Sequence, residues 1–324
     1  MTKKKTLRAV DAAMNADRPD KSAIRQAWAN KVQAYAAKYD SDDKPLYLTL
    51  CGAEGRDISL LAASGVIELT ETGSISASSL GKVVAVEANP NATVELVARF
   101  PGLDVIEQPF EHFLQGEDDT RFPTGKHERY CRARIVNLDF NMELRPQEPS
   151  GGDPFAVFSW IKKLGALHGA RPRKDWCLCL TLNGGINWPQ PICSDVQTFL
   201  EDNFNRHELF RDRSKTFLGA KLFDQINAGT ANFPELTREE QQKLLMVFVP
   251  KKVAHALNGQ SWRINTELNW RYGTSPNAPM VTWLFECHHD REGAHAPGKL
   301  FEKNLGATLQ APCRVDAKGR ILAG

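Results

Sequence analysis

A chain of 324 residues, 42% hydrophobic and 25% charged, is long enough for one large domain with appendages and has the balance of a globular protein. No apolar run reaches the roughly 18 residues that a membrane-spanning helix needs, so no membrane partner is expected. A net charge of +2 does not single out a nucleic-acid binder, and seven scattered cysteines read as buried free thiols in a reducing, cytoplasmic setting rather than as a disulfide framework.

The first 21 residues (MTKKKTLRAVDAAMNADRPDK) are basic but have no apolar core, so they do not read as a secretory signal. Ser22–Tyr39 carries Ile24, Trp28, Val32 and Tyr35 at helical spacing with Ser22 as cap, which predicts a helix packed on the main domain. Leu46–Leu50 is a buried strand, Cys51–Gly55 (CGAEG) a glycine-bearing turn, and a helix follows to about Ala63. Gly65–Gly81, rich in Ser, Thr and Gly, reads as an inserted loop. Val83–Glu87 is the second strand, Ala92–Phe100 a helix, Asp104–Glu107 the third strand, and Phe110–Leu114 the opening of another helix. Gly116–His127 reads as an exposed loop before the fourth strand, Arg134–Phe140.

Asp153 and Pro154 are an N-cap and first-turn pair for a helix that places Val157, Trp160, Ile161 and Leu164 on one face. Trp176–Leu182 is the fifth strand. Ser194 and Gln197 form a capping box ahead of the stripe Val196, Phe199, Leu200 and Phe204. Thr237 and Glu240 repeat it before Leu244–Val249, and Gly259 stops the helix that follows Pro250. Arg263–Tyr272 and Met280–Cys287 are β-like, and the loop between them is too short for a crossover helix, so they must be antiparallel neighbours. Asp290–Gly324 reads as an irregular tail.

A strand, a glycine turn, a helix and a second strand ending in an acid make a nucleoside-cofactor pocket in an open α/β sheet. The turn lets the backbone approach the ligand, and the acid accepts hydrogen bonds from ribose hydroxyls. These residues resemble class I S-adenosyl-L-methionine-dependent methyltransferases, with Gly55-Arg56-Asp57 at the first motif and Glu87 at the second. The chain departs from that pattern in having two glycines in Cys51–Gly55 rather than three, and a longer distance to Glu87, which the inserted loop accounts for. The resemblance spans about Leu46–His288. It implies an α/β, Rossmann-like seven-stranded sheet, mostly parallel with a C-terminal antiparallel hairpin and helices on both faces. Residues 1–43 would be a helical extension, 44–290 the methyltransferase-like domain with a helical insertion at about 194–260, and 291–324 the tail.

The resemblance also implies roles. Cys51, Gly52, Ala53, Glu54 and Gly55 would pass beneath the methionine part of S-adenosyl-L-methionine, and Asp57 would face its amino group or simply cap a helix. Glu87 would hold the ribose. Gln108, replacing the family's usual Asp, and Phe110 would meet the adenine edge and face. Asn137-Leu138-Asp139-Phe140 stands where the family handles the methyl acceptor. Asn137 and Phe140 fit the outer positions of the amino-methyltransferase motif, whose two prolines are replaced, and Asp139 is either the proton acceptor or a surface acid ending a strand. Asn183-Gly184-Gly185 shapes the acceptor side or is a plain turn. Cys287-His288-His289 with His295 lacks the spacing of a metal motif, so no metal is expected. Trp188, Trp262 and Trp270 are stacking platforms or packing residues. Lys126, Arg132, Arg171, Arg173 and Lys174 would suit nucleic-acid phosphates if the fold gathered them at the pocket mouth. The expected activity is methyl transfer, with a nucleic acid (RNA or DNA) as the first choice of acceptor and a protein or a small molecule behind it. Two alternatives stand beside it: a fold kept for binding or assembly, and a nicotinamide-dependent oxidoreductase.

Overall fold

A computed structural model describes residues 18–39, 45–116, 126–146, 153–170, 173–273, 279–290 and 312–323. The first half alternates helix and strand: α1 (Pro19–Ala36), β1 (Tyr47–Thr49), α2 (Arg56–Ala63), β2 (Val83–Val86), α3 (Pro90–Arg99), β3 (Asp104–Ile106), α4 (Phe110–Gln115), α5 (Lys126–Cys131), β4 (Ile135–Glu143), α6 (Ala156–Gly169) and β5 (Trp176–Asn183). Four helices follow, α7 (Gln190–Arg206), α8 (Glu208–Leu218), α9 (Ala220–Asn227) and α10 (Arg238–Asn258), and then β6 (Trp262–Tyr272), β7 (Met280–His289), β8 (Pro312–Val315) and β9 (Ile321–Ala323).

The strands form one sheet in the order β3-β2-β1-β4-β5-β7-β6-β8-β9. Strands β1 to β5 pair in parallel. β7 lies antiparallel between β5 and β6, as the short β6–β7 connection requires. The sheet is therefore mixed and mostly parallel, with nine strands among the described residues rather than seven. The two additions come from the segment read as an irregular tail. Asp316 turns the chain there, its Oδ1 accepting from Lys318 N and Arg320 N at 2.9 Å, with Gly319 at φ 76°. β8 pairs in parallel with β6 and antiparallel with β9.

Strand alternation divides the apolar residues between two cores. Leu48, Val84, Val86, Val136, Leu138, Leu178 and Leu180 face α4–α10, whereas Tyr47, Val83, Ala85, Ile135, Cys177 and Cys179 face α1, α2 and α3. Helices thus cover both faces. None of the seven cysteines is disulfide-bonded, and five are buried. No described helix is long and apolar enough to cross a membrane.

Several element ends differ from the sequence reading for local reasons. α1 starts at Pro19, whose fixed φ suits the first helical position, and Ser22 lies inside the first turn. Asp153 Oδ1 accepts from Phe155 N at 3.1 Å in the turn ahead of α6 instead of capping it. α7 begins four residues before Ser194, whose hydroxyl bonds back to Gln190 O at 3.1 Å while Gln197 reaches Gln225 O at 3.2 Å. The Thr237–Glu240 capping box is present, and α10 runs through Pro250 to Asn258. Helix α5 starts in the last two residues of the stretch read as a loop and runs on to Cys131.

Candidate functional site

The order β3-β2-β1 runs one way from the middle of the sheet and β4-β5 the other, so the chain leaves β1 and β4 towards opposite sides. The crevice at the C-terminal ends of such strands is where open α/β sheets bind ligands. A cavity of about 500 Å³ lies there, within the usual range for small-molecule and cofactor sites.

Four separate stretches of the chain converge on it. Cys51, Gly52, Ala53, Glu54 and Asp57 follow β1, Glu87 follows β2, Gln108 and Phe110 follow β3, and Asn137, Asp139 and Phe140 belong to β4; all line the cavity. Gly55 does not. Its φ of 50° and a Cβ that would lie 2.5 Å from Phe100 Cε2 show that packing beneath the turn, not a ligand, requires glycine there. Gly52, at φ 61° with nothing within 4 Å of an added Cβ, is the glycine that opens onto the cavity.

Under the turn, Asp57 Oδ2 accepts from the Tyr47 hydroxyl, from Thr49 Oγ1 at 2.5 Å and from Asn137 Nδ2 at 3.1 Å. Burial, reinforced by the charge and hydrogen bond of Asp57, pushes the Tyr47 phenol far up, so it stays a donor. Asp57 Oδ1 is buried without a hydrogen-bond partner among the described residues. Asn137 is thereby a positioning residue: its amide also reaches Tyr47 OH at 3.2 Å and Thr49 Oγ1 at 3.4 Å. Glu87 Oε1 accepts from Asn89 N at 2.8 Å. The Cys51 thiol is pushed well up by burial and then by Asp57 and Glu87, and so is a poor nucleophile.

The two ends of the β4 tetrapeptide separate by strand alternation. Asp139 shares the α1 side with Asn137. Its carboxyl is pushed up to about 6 by burial and then by the charge of Asp57, against the pull of Arg25 and Lys21. Phe140 points to the opposite side, where it joins Phe110 (6.4 Å) and Trp160 (5.6 Å) in an aromatic group. It belongs to the wall rather than to a catalytic pair with Asn137.

The sequence reading missed the wall built by α1 and the far strands. Lys21, Ile24, Arg25 and Trp28, spaced as one helical face, line the cavity with Thr181, Tyr272, Met280 and Thr282. Asp20, 2% exposed, ties α1 to the end of β6: it pairs with Arg18 at 2.7 Å and accepts from Gly273 N at 3.1 Å. The Trp28 indole N–H donates to the Cys179 sulfur. The signal was the i, i+3, i+4, i+7 spacing, masked because Ile24 and Trp28 alone suffice for a packing helix.

Other candidates fall elsewhere. Gly184 and Gly185 back onto Gln242 and onto Glu143 and Arg238, lining no part of this cavity. Trp188 and Trp262 are buried and donate to Leu144 O (2.6 Å) and Gly165 O (2.8 Å), and Trp270 is 9% exposed in the core under α1; all three are packing residues. His288 pairs with Asp175 at 2.8 Å and Glu286 at 3.4 Å. His295, Arg171 and the Lys126 side chain lie outside what is described. Arg132 and Arg173 precede β4 and β5 and bond Ala170 O and Gly169 O. With Lys174 they sit at the N-terminal ends of these strands, on the order of 15 Å of strand from the cavity. Arg132, Arg173 and Lys174 are therefore not gathered at its mouth.

Compared with known proteins, the chain matches no protein-family model and no curated protein.

Proposed function

We propose that this cavity binds S-adenosylmethionine and that the protein transfers the sulfonium methyl group to a small acceptor. The observation that carries the reading is convergence: of the twelve residues that the resemblance assigns to the glycine turn, Asp57, the ends of β2 and β3, and Asn137, Asp139 and Phe140, eleven line one cavity at the switch point of the sheet, although Asn183-Gly184-Gly185 does not. The sheet order through β6, with β7 antiparallel between β5 and β6, also supports a methyltransferase-like sheet that β8 and β9 extend.

The residues present fit the cofactor. Asp57, which lines the cavity with one oxygen fixed by three donors, places a negative charge beside an ammonium group. Glu87, with one oxygen fixed by Asn89 N, keeps the other for ribose hydroxyls. Gln108 offers an amide and Phe110 a ring, 7% exposed, to adenine. Bound there, the cofactor would supply an electrophilic methyl carbon on a cationic sulfur. The chain's own part is to hold the acceptor in line and to take its proton on Asp139, which with a pKa of about 6 is ionised at neutral pH yet basic enough to receive it. Helix α1 walls the acceptor end, which favours a small molecule over a polymer.

Isothermal titration with S-adenosylmethionine, S-adenosylhomocysteine and NAD tests the reading. The first two should bind and NAD should not. Glu87→Ala should weaken both by about 10- to 100-fold, the equivalent of about 1.5–3 kcal/mol for hydrogen bonds to a charged acceptor. Absence of binding, or unchanged affinity in a folded Glu87→Ala protein, rejects it.

A further inference from the structure

The acceptor end has a chemical polarity that strand register and hydroxyl direction together define. Asp139 pairs in register with Thr181, and Thr181 with Thr282, so the three side chains stand in one row across β4, β5 and β7 on the α1 side. Neighbouring strands put Asp139 and Thr181 about 4.8 Å apart at the backbone. Thr181 Oγ1 and Thr282 Oγ1 are 2.9 Å apart, and Thr282 Oγ1 also lies 3.3 Å from Leu180 O. The carbonyl can only accept, and with Thr282's single proton on it, Thr181 donates its own to Thr282. What Thr181 then turns to the cavity is lone pairs. Next to Asp139 the row presents acceptors and no donor.

We infer that the methyl acceptor is a weakly basic primary amino group, such as that of an arylamine or the exocyclic amine of a heterocycle. This rests on the cavity being the methyl-donor site proposed above. An –NH2 group has the two hydrogens needed to bridge Asp139 and Thr181 while its lone pair stays free; a hydroxyl has one and leaves an acceptor unpaired. Lys21 and Arg25 act on Asp139 from α1 against the charge of Asp57, and a protonated amine has no lone pair to attack with, so the acceptor is an amine that is neutral at pH 7. Ile24, Trp28, Tyr272 and Met280, on the α1 side of the wall, give an apolar surface for a flat ring. The nitrogen lone pair forms the N–C bond as the methyl carbon's bond to sulfur breaks. That electron pair stays on sulfur, turning the sulfonium donor into a thioether. The nitrogen's surplus proton passes to the Asp139 carboxylate and then to water.

The test uses the full chain saturated with S-adenosylhomocysteine and three probes, aniline, phenol and benzylamine, compared by saturation-transfer NMR and competition. Aniline should bind about tenfold more tightly than phenol, by one hydrogen bond, and than benzylamine, which is cationic at pH 7. Thr181→Val should remove the preference for aniline without changing S-adenosylhomocysteine affinity, and Thr181→Ser should keep it. If S-adenosylhomocysteine binds but the probes do not bind, bind equally, or keep their order in Thr181→Val, the amine assignment fails and the methyl-donor reading stands. A Thr181→Val chain that does not fold leaves the wild-type probe order and Thr181→Ser as the decision. If S-adenosylhomocysteine itself does not bind, both fall.

Discussion

Replacing Asp57 by alanine should destabilise the protein through the groups it leaves behind. Tyr47, Thr49 and Asn137 are 1%, 0% and 8% exposed, and each gives Asp57 Oδ2 a hydrogen bond. In Asp57→Ala the Asn137 amide can still donate to the two hydroxyl oxygens, but both hydroxyl protons lose their acceptor. Two orphaned buried donors at about 1–3 kcal/mol each give about 2–6 kcal/mol, a large part of a typical domain's stability. The orphaned Oδ1 pulls the figure towards the lower end, since its removal relieves a buried unsatisfied acceptor. The assay is urea unfolding at pH 7, as a cycle with Thr49→Val. Valine matches threonine in shape and removes one orphaned hydroxyl, so the double variant should cost less than the sum of the singles by about 1–2 kcal/mol. A loss below about 1 kcal/mol in Asp57→Ala, or strict additivity, would refute the network as the element that holds the turn.

Asp139 has a folded-state pKa of about 6 against an ordinary 3.8, so folding favours its protonated form. Its ionisation therefore works against stability as pH rises from about 4 to 6, and Asp139→Asn should stabilise the fold by about 1–3 kcal/mol at pH 7, fading below pH 4, while abolishing methyl transfer; thermal melts at pH 4 and 7 check both signs. His288 is held charged first by Asp175 and then by Glu286, its pKa raised to about 9; its stabilisation is full below about pH 6.5 and lost as pH rises through 9, and an NMR titration of its ring should show that midpoint, with Asp175→Asn lowering it. Gly55→Ala should destabilise by more than the roughly 1–2 kcal/mol of a left-handed alanine, because its Cβ meets Phe100, whereas Gly52→Ala should cost about that amount and weaken S-adenosylhomocysteine binding; equal effects of the two would contradict the assignment of Gly52 to the cavity.

The alternating half of the fold was legible because each parallel strand is a short apolar run and each helix carries its own spacing. The terminal hairpin was legible because a loop of seven residues admits no crossover. β8 and β9 were not: four and three residues carry no periodicity, and their pairing depends on β6 offering a free edge. Their one local signal was Asp316-Ala317-Lys318-Gly319, a turn sequence in which Asp316 holds two backbone amides. At the site, the turn and the strand-end residues were readable since their place follows from order along the chain. The partition of Asn137, Asp139 and Phe140 was harder. Alternation sends Phe140 to the aromatic side, and only the three-dimensional neighbourhood of Asp57 shows Asn137 to be a brace. Thr181 and Thr282 lie about a hundred residues apart, and their relation exists only through the β5–β7 register.

The cavity concentrates features that stability alone would not retain. Asp57 keeps one oxygen under three donors and the other buried with none, which locks its rotamer but leaves a desolvated acceptor unmet. Asp139, in reach of that charge, is pushed towards neutrality. Apolar or amide replacements at either position would remove a cost that the fold now bears. Both acids nevertheless stand on the α1 side of the crevice, over strands whose lower halves pack in ordinary apolar fashion with Val83, Ile135 and Cys177. Local rules broken together at one place, and kept beneath it, are what a preorganised site looks like: the fixed Asp57 charge and the raised Asp139 carboxyl are the two groups that a cationic ligand and an acceptor proton would offset.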